Sequence, residues 1–167
     1  IPRLTVSGGT DATFNFGNVV KEDFTVISLT RYNGGSKARI LQGSSNWLHG
    51  HWGSNVGVAH YDRWKTPERS KHDSEEWLCY VGQNGGECIH RANGVDVGNG
   101  NGGSGNQTLS INAGGHGGEA SDWAVREILT WDRHLEREEI LAVERYLGAA
   151  HGLPRECPEL LGFDLKK

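Results

Sequence analysis

The sequence predicts an all-β fold, a two-sheet antiparallel sandwich followed by one C-terminal amphipathic helix. Three observations carry this expectation. Short runs rich in β-branched and aromatic residues recur along most of the chain, each bounded by turn residues. Glycine is abundant, at 25 of 167 residues, without the three-residue period of collagen. Past residue 135 the apolar spacing changes from two to about 3.6 residues, the mark of a helix. The length suits one domain over residues 1–167, with its core from about 14 to 152 and a tail from 153 to 167.

The first strand signal is DFTVISLTRY (23–32), closed by Asn33-Gly34-Gly35. ARILQG (38–43), NWLHGHWG (46–53) and VGVAHYDRW (56–64) follow. Strict alternation in the last sets Val56, Val58, His60 and Asp62 against Gly57, Ala59, Tyr61 and Arg63. The polar KTPERSKHDSEE (65–76) reads as an exposed loop. WLCYVG (77–82) and ECIHRA (87–92) form a hairpin, and Asn93-Gly94 joins it to VDVG (95–98) through the positive φ angles of a type I′ turn. NGNGGSGN (99–106) is a glycine-rich loop, TLSINAGG (108–115) a strand, and SDWAVREILTWDR (121–133) a longer one. Alternation there groups Trp123, Val125, Leu129 and Trp131 against Ala124 and Ile128, and two apolar faces mark a central strand. Ile140, Val143, Tyr146 and Leu147 then fall at helical spacing within 136–152, with glutamates early and Gly152 at the end.

Composition excludes several classes of function. The net charge is −4 and basic residues are scattered, so nucleic acid, which needs a concentrated positive face, is not an expected partner. No apolar stretch approaches the ~18 residues of a transmembrane helix. The chain starts at Ile1 and contains no methionine, which reads as a processed or excised product, secreted or lumenal. Cys79 and Cys88 flank the turn Gln83-Asn84-Gly85-Gly86, and either a cross-strand disulfide or two buried thiols fits; Cys157 is left over in the tail. Asn106-Gln107-Thr108 is a glycosylation sequon.

SDWAVREILTWDRHLEREEILAVERYLGAAHGL and IHRANGVDVG resemble the closing strand-plus-helix and a strand-Asn-Gly-strand hairpin of laminin-G-like, concanavalin A-like lectin/glucanase jelly rolls. The likeness spans about residues 23 to 152. It implies the jelly-roll form of the sandwich and a non-catalytic module that recognises carbohydrate or glycoprotein. The rival reading is a structural or assembly subunit using the sandwich for protein–protein contacts. A polysaccharide-active glycosidase is disfavoured, because the E-x-D-x-x-E strand of the glucanase branch is missing. Asp73 and Glu75 sit in a polar run, and Glu127 resembles a residue with a structural part in the family. Some family members hold calcium near rim loops. Asp96, Asn99 and Asn101 offer oxygens, but with one carboxylate a plain loop is the natural reading and no cofactor is expected.

NWLHGHWG concentrates the candidate site. Alternation puts Trp47, His49 and His51 on one face, and Asn46, Leu48 and Trp52 on the other. His49 and His51 with His60 supply three imidazoles, yet no carboxylate or cysteine completes a metal set, so no metal ligands are assigned. Trp47, His49, His51, Trp52, His60 and Tyr61 together form a candidate sugar-stacking platform. The plainest reading packs the tryptophans in the core with the histidines at its rim. Nucleophilic chemistry has no support, since there is no G-x-S-x-G elbow, Cys79 has no base in sequence, and GGHGG (114–118) reads as a turn.

Overall fold

The computed structural model describes residues 4–68 and 76–153. Within them the chain forms β1 (Val6–Gly8), β2 (Phe14–Val20), β3 (Thr25–Tyr32), β4 (Leu41–Gln42), β5 (Trp47–Trp52) and β6 (Asn55–Tyr61). There follow β7 (Leu78–Gln83), β8 (His90–Ala92), β9 (Val95–Gly98), β10 (Gln107–Ile111), β11 (Trp123–Trp131) and α1 (Arg137–His151). One sheet has the order β1-β11-β3-β7-β8-β9 and the other β2-β10-β4-β5-β6. Every pairing is antiparallel. The two-sheet sandwich with one C-terminal helix is therefore the fold. Strands β1 and β2 carried no signal in the sequence reading, because they are edge strands with Val20 their one buried residue and a half-exposed Phe14. Asp73, Glu75 and Cys157 lie outside the described residues.

Two cores hold the layers. Between the sheets, Phe24, Val26, Tyr32, Trp47, Tyr61, Tyr80, Leu109 and Trp123 pack together. On the outer face of the six-stranded sheet, Ile27, Leu29, Cys79, Val81 and Ile89 meet Ile140 and Leu147 of α1. Strand β3 feeds both, so nearly all its residues are buried, as a central strand requires. A reciprocal capping box between Glu136 and Glu139 starts α1, and Gly152 ends it in the left-handed region at φ 57°. The helix presents Ile140, Val143 and Leu147 to the sheet as expected, but Tyr146 points to solvent and Glu144 takes its place.

Two bulges overturn the strict alternation expected in β6 and β11. Gly50 pairs with Val58 and His51 with Val56, which leaves Gly57 (φ 85°) as the extra residue in β6. Val56, Ala59 and Tyr61 consequently face the sandwich core, while His60 turns outward. In β11, Val125 pairs with Thr30 and Glu127 with Leu29, so Arg126 is the inserted residue. Trp123, Val125 and Ile128 then face the inter-sheet core, and Leu129 and Trp131 face the helix. One inserted residue exchanges the two faces because the side-chain period is two.

Register also settles the cysteines. Tyr80 pairs with Ala92 and Gly82 with His90; the Asn93 N–H donates to the Cys79 carbonyl and the Cys79 N–H to Asn93 Oδ1, so Cys79 lies opposite Asn93 and not Cys88. Cys88 sits at the far end of the hairpin, its N–H donating to the Gly85 carbonyl. The two thiols are not bonded to each other, which corrects the disulfide reading.

Candidate functional site

The octapeptide alternates as its sequence implies, and the face that carries Trp47 points inward. Trp47, His49 and His51 on β5 and Tyr61 on β6 are all completely buried. Trp47 stacks on Tyr61 at 4.6 Å between centroids, and His49 Nδ1 lies 2.8 Å from the Tyr61 hydroxyl. His51 meets Tyr32 edge-on and lies 3.5 Å from Thr30 Oγ1. The Tyr80 hydroxyl lies 3.2 Å from Nδ1 of a third buried histidine, His90. Burial holds all three imidazoles in the uncharged form, pushing His49 down to about 3, His51 to about 3 and His90 to about 4. Four of the six expected platform residues are thus core residues, out of reach of any ligand. The three-imidazole metal reading fails too, since His49 and His51 face inward and His60 outward.

The outward face builds a different site. Helix α1 covers the six-stranded sheet, and on the outer side of the five-stranded one Leu48, Trp52 and His60 line a cavity of about 250 Å³. Trp64, bridged to His60 just past β6, joins them. Its ring meets Trp52 at 5.3 Å and His60 at 5.1 Å, at 68° and 84°. Polar groups converge beside the rings. Arg39 donates through Nη2 to Asn46 Oδ1 at 2.8 Å and forms an ion pair with Glu119. Trp52 Nε1 donates to the other Glu119 oxygen at 3.2 Å, and His60 Nδ1 lies 2.8 Å from the Asn46 carbonyl. Glu68 and His116, both exposed, complete the wall. Burial pulls the Arg39 guanidinium below its ordinary value, and Glu119 opposes this.

Of the expected residues only Trp52 and His60 belong to this cavity. Arg39, Asn46, Trp64, Glu68, His116 and Glu119 were missed. They come from four separate segments; alternation had set Asn46 on the face of Trp52, and Trp64 closes a recognised strand, where it bridges back to His60. The segment that delivers Glu119 is fastened by Gly115, whose N–H donates to the Gly43 carbonyl at 2.9 Å. A Cβ there would overlap the Ser44 carbonyl oxygen. Gly115→Ala is accordingly expected to cost about 1–3 kcal/mol in urea denaturation through backbone displacement. An unchanged midpoint would show that this segment yields freely.

The remaining expected sites resolve differently. Asp96 is held between Arg91 and Arg137, which keeps its carboxyl below the ordinary range despite the opposing effect of partial burial. Lys65 Nζ donates to the Asn101 carbonyl at 2.7 Å, so a protein cation already sits at the proposed calcium loop. Among the described residues no group of three His, Cys, Asp or Glu side chains gathers as metal ligands do. Glu127 pairs with His151 of α1 at 2.7 Å and fastens the helix end to β11. Asn106 is exposed, at φ 53°. A second cavity of about 350 Å³ lies between β2, β10 and β11, lined by Phe14, Phe16, Val19, Ile111, Val125 and Ile128. No helix among the described residues is long and apolar enough to cross a membrane. Comparison with protein-family models and with curated proteins finds no match.

Proposed function

We propose that the domain is a non-catalytic recognition module that binds carbohydrate, free or on a glycoprotein, in the outer-face cavity. The observation that carries this reading is the half-buried Trp52–Trp64 pair standing beside Asn46, His60 and Glu119. Sugar sites combine an apolar ring wall with a few placed hydrogen-bonding groups, and these are such groups. The strand-helix ending, the Asn-Gly hairpin and the two-sheet architecture support membership of the laminin-G-like, concanavalin A-like group. The exposed sequon at Asn106 supports a secreted or lumenal setting.

Both oxygens of Glu119 are engaged, by Trp52 and Arg39, which suits a wall residue better than one of a hydrolytic pair. A glycan array, followed by titration calorimetry of the best ligand, tests the reading. Trp52→Ala and Trp64→Ala are each expected to weaken binding about tenfold or more while leaving Tm nearly unchanged, because neither ring belongs to the core. Binding that ignores both substitutions, or an empty array with folded protein, sinks the proposal, and release of reducing ends from the ligand sinks its non-catalytic part. A second reading, an assembly subunit, draws on the apolar cavity beside β2, where Val6 and Phe14 are half exposed. Concentration-dependent self-association lost in Phe14→Ser would favour it.

A further inference from the structure

We infer that the cavity selects an uncharged, hydroxyl-bearing sugar residue and rejects uronates and sulfated sugars; the inference rests on the carbohydrate reading above. It follows from which polar groups a ligand can reach. The Asn46 carbonyl can only accept, so the 2.8 Å contact places the His60 proton on Nδ1. A neutral ring with its proton so placed presents Nε2 as an acceptor, and Nε2 has no hydrogen-bond partner among the described residues. Glu119 is about one-third exposed, at 32%, and as a carboxylate it too only accepts. Glu68 adds a second exposed carboxylate to the same wall.

The guanidinium that would recognise an anion is withdrawn. Arg39 is 5% exposed at its side chain, and its charge is matched by Glu119 and its Nη2 by Asn46. Arg39 counted against Glu68 and Glu119 leaves one negative charge in excess among these described lining residues. A neutral pyranose meets this wall with hydroxyl donors, which His60 Nε2 and the carboxylates accept. A sugar carboxylate or sulfate brings only acceptors and a like charge, with no exposed arginine among the described lining residues to receive it. The Asn46 amide nitrogen, whose own oxygen is engaged by Arg39, supplies a donor for the ring oxygen or a hydroxyl lone pair.

The test is calorimetric titration of the whole chain with three oligosaccharide sets of matched length: neutral hexose oligomers, uronate oligomers and sulfated oligomers. The neutral set is expected to bind about tenfold or more tightly than either anionic set at low salt, with the gap narrowing as salt screens Glu68. Glu68→Gln should narrow it likewise by strengthening anionic binding only. His60→Phe keeps a ring against Trp64 but removes the Nε2 acceptor, and should weaken neutral-sugar binding about tenfold, with only the small drop in Tm that loss of the Nδ1 bond to Asn46 brings. Tighter binding of an anionic set that remains sensitive to Trp52→Ala overturns the selectivity and leaves the sugar site standing. Indifference of neutral binding to His60→Phe overturns the role given to Nε2. Failure of every set to bind folded protein removes the carbohydrate reading, and this inference with it.

Discussion

Lowering the pH from 7 to 5 is expected to remove on the order of 6 kcal/mol from the stability of this domain, enough to unfold a marginally stable one. The cause is the trio of histidines inside the sandwich. An unfolded imidazole titrates near 6.5, whereas burial holds His49 and His51 at about 3 and His90 at about 4. Between those limits the unfolded chain binds protons that the folded one refuses, so stability falls as pH falls. It is complete above 6.5 and stops declining only near 3 to 4. Each imidazole contributes about 1.4 kcal/mol per pH unit in that window, and three of them over about 1.5 units give the figure above.

Burial outweighs the backbone groups that favour a charged ring, Tyr80 beside His49 and Gly100 and Gln83 beside His90. Tyr61 and Tyr80 face His49 and His90, and burial keeps both phenols protonated far above the ordinary range. Lys65 adds a like charge near His90, and His51 Nε2 has no hydrogen-bond partner among the described residues. The carboxylates whose pKa is lowered, Asp62, Asp96 and Glu139, add their losses only at more acid pH. Urea denaturation followed by tryptophan fluorescence at pH 7.5, 6.5, 5.5 and 5.0 reads the slope. His51→Leu should reduce it by about a third. A flat profile across this range would mean that the histidines are hydrated in solution and the packing described here is wrong.

The same histidines show what a linear sequence can and cannot disclose. Alternation in NWLHGHWG was legible, because a strand has a period of two whatever surrounds it. Which face met the core was not, since each carries one tryptophan and a buried His–Tyr pair such as His49–Tyr61 looks polar in sequence. The Asn-Gly turn, the β7–β8 hairpin and the helix were read correctly from local chemistry, with Asn93 and Gly94 at φ 48° and 81°. Phase failed wherever one residue was inserted. Gly57 separates Val56 from His60, and Arg126 sends Ile128 inward and Leu129 outward. Pattern counting has no term for a bulge, which exists only relative to its partner strand. The outer cavity was mostly invisible for a related reason. Arg39 and Glu119 are 80 positions apart in the numbering and meet only because β4 and β10 are neighbours and Gly115 lies against Gly43.

Arg91→Met is expected to destabilise the domain by about 3–5 kcal/mol, although it replaces a charge by an apolar chain of similar length. Arg91 on β8 reaches across the outer face of its sheet to α1. Its Nε lies 3.1 and 3.2 Å from the two Glu144 oxygens, its Nη1 donates to Asp96 at 2.7 Å, and its Nη2 donates to the Gly94 carbonyl. Both side chains of the central pair are nearly sealed, at 3% and 5% exposure. Burial pushes the Glu144 carboxyl above its ordinary range, and Arg91 opposes that push. Removing the arginine leaves a carboxylate enclosed among Ile140, Leu147 and the sheet, which must either stay charged without a partner or take up a proton at neutral pH. Desolvation of the pair costs nearly what its attraction returns, so Arg91→Met/Glu144→Leu should recover most of the loss. A double-mutant cycle in urea measures this directly. A single substitution costing under about 1 kcal/mol would mean that Ile140, Val143, Leu147 and the Glu127–His151 pair hold α1 without help from Arg91. A double variant as unstable as the single would mean that the network ending in Asp96 and Arg137, not the Glu144 contact, fixes the helix on the sheet.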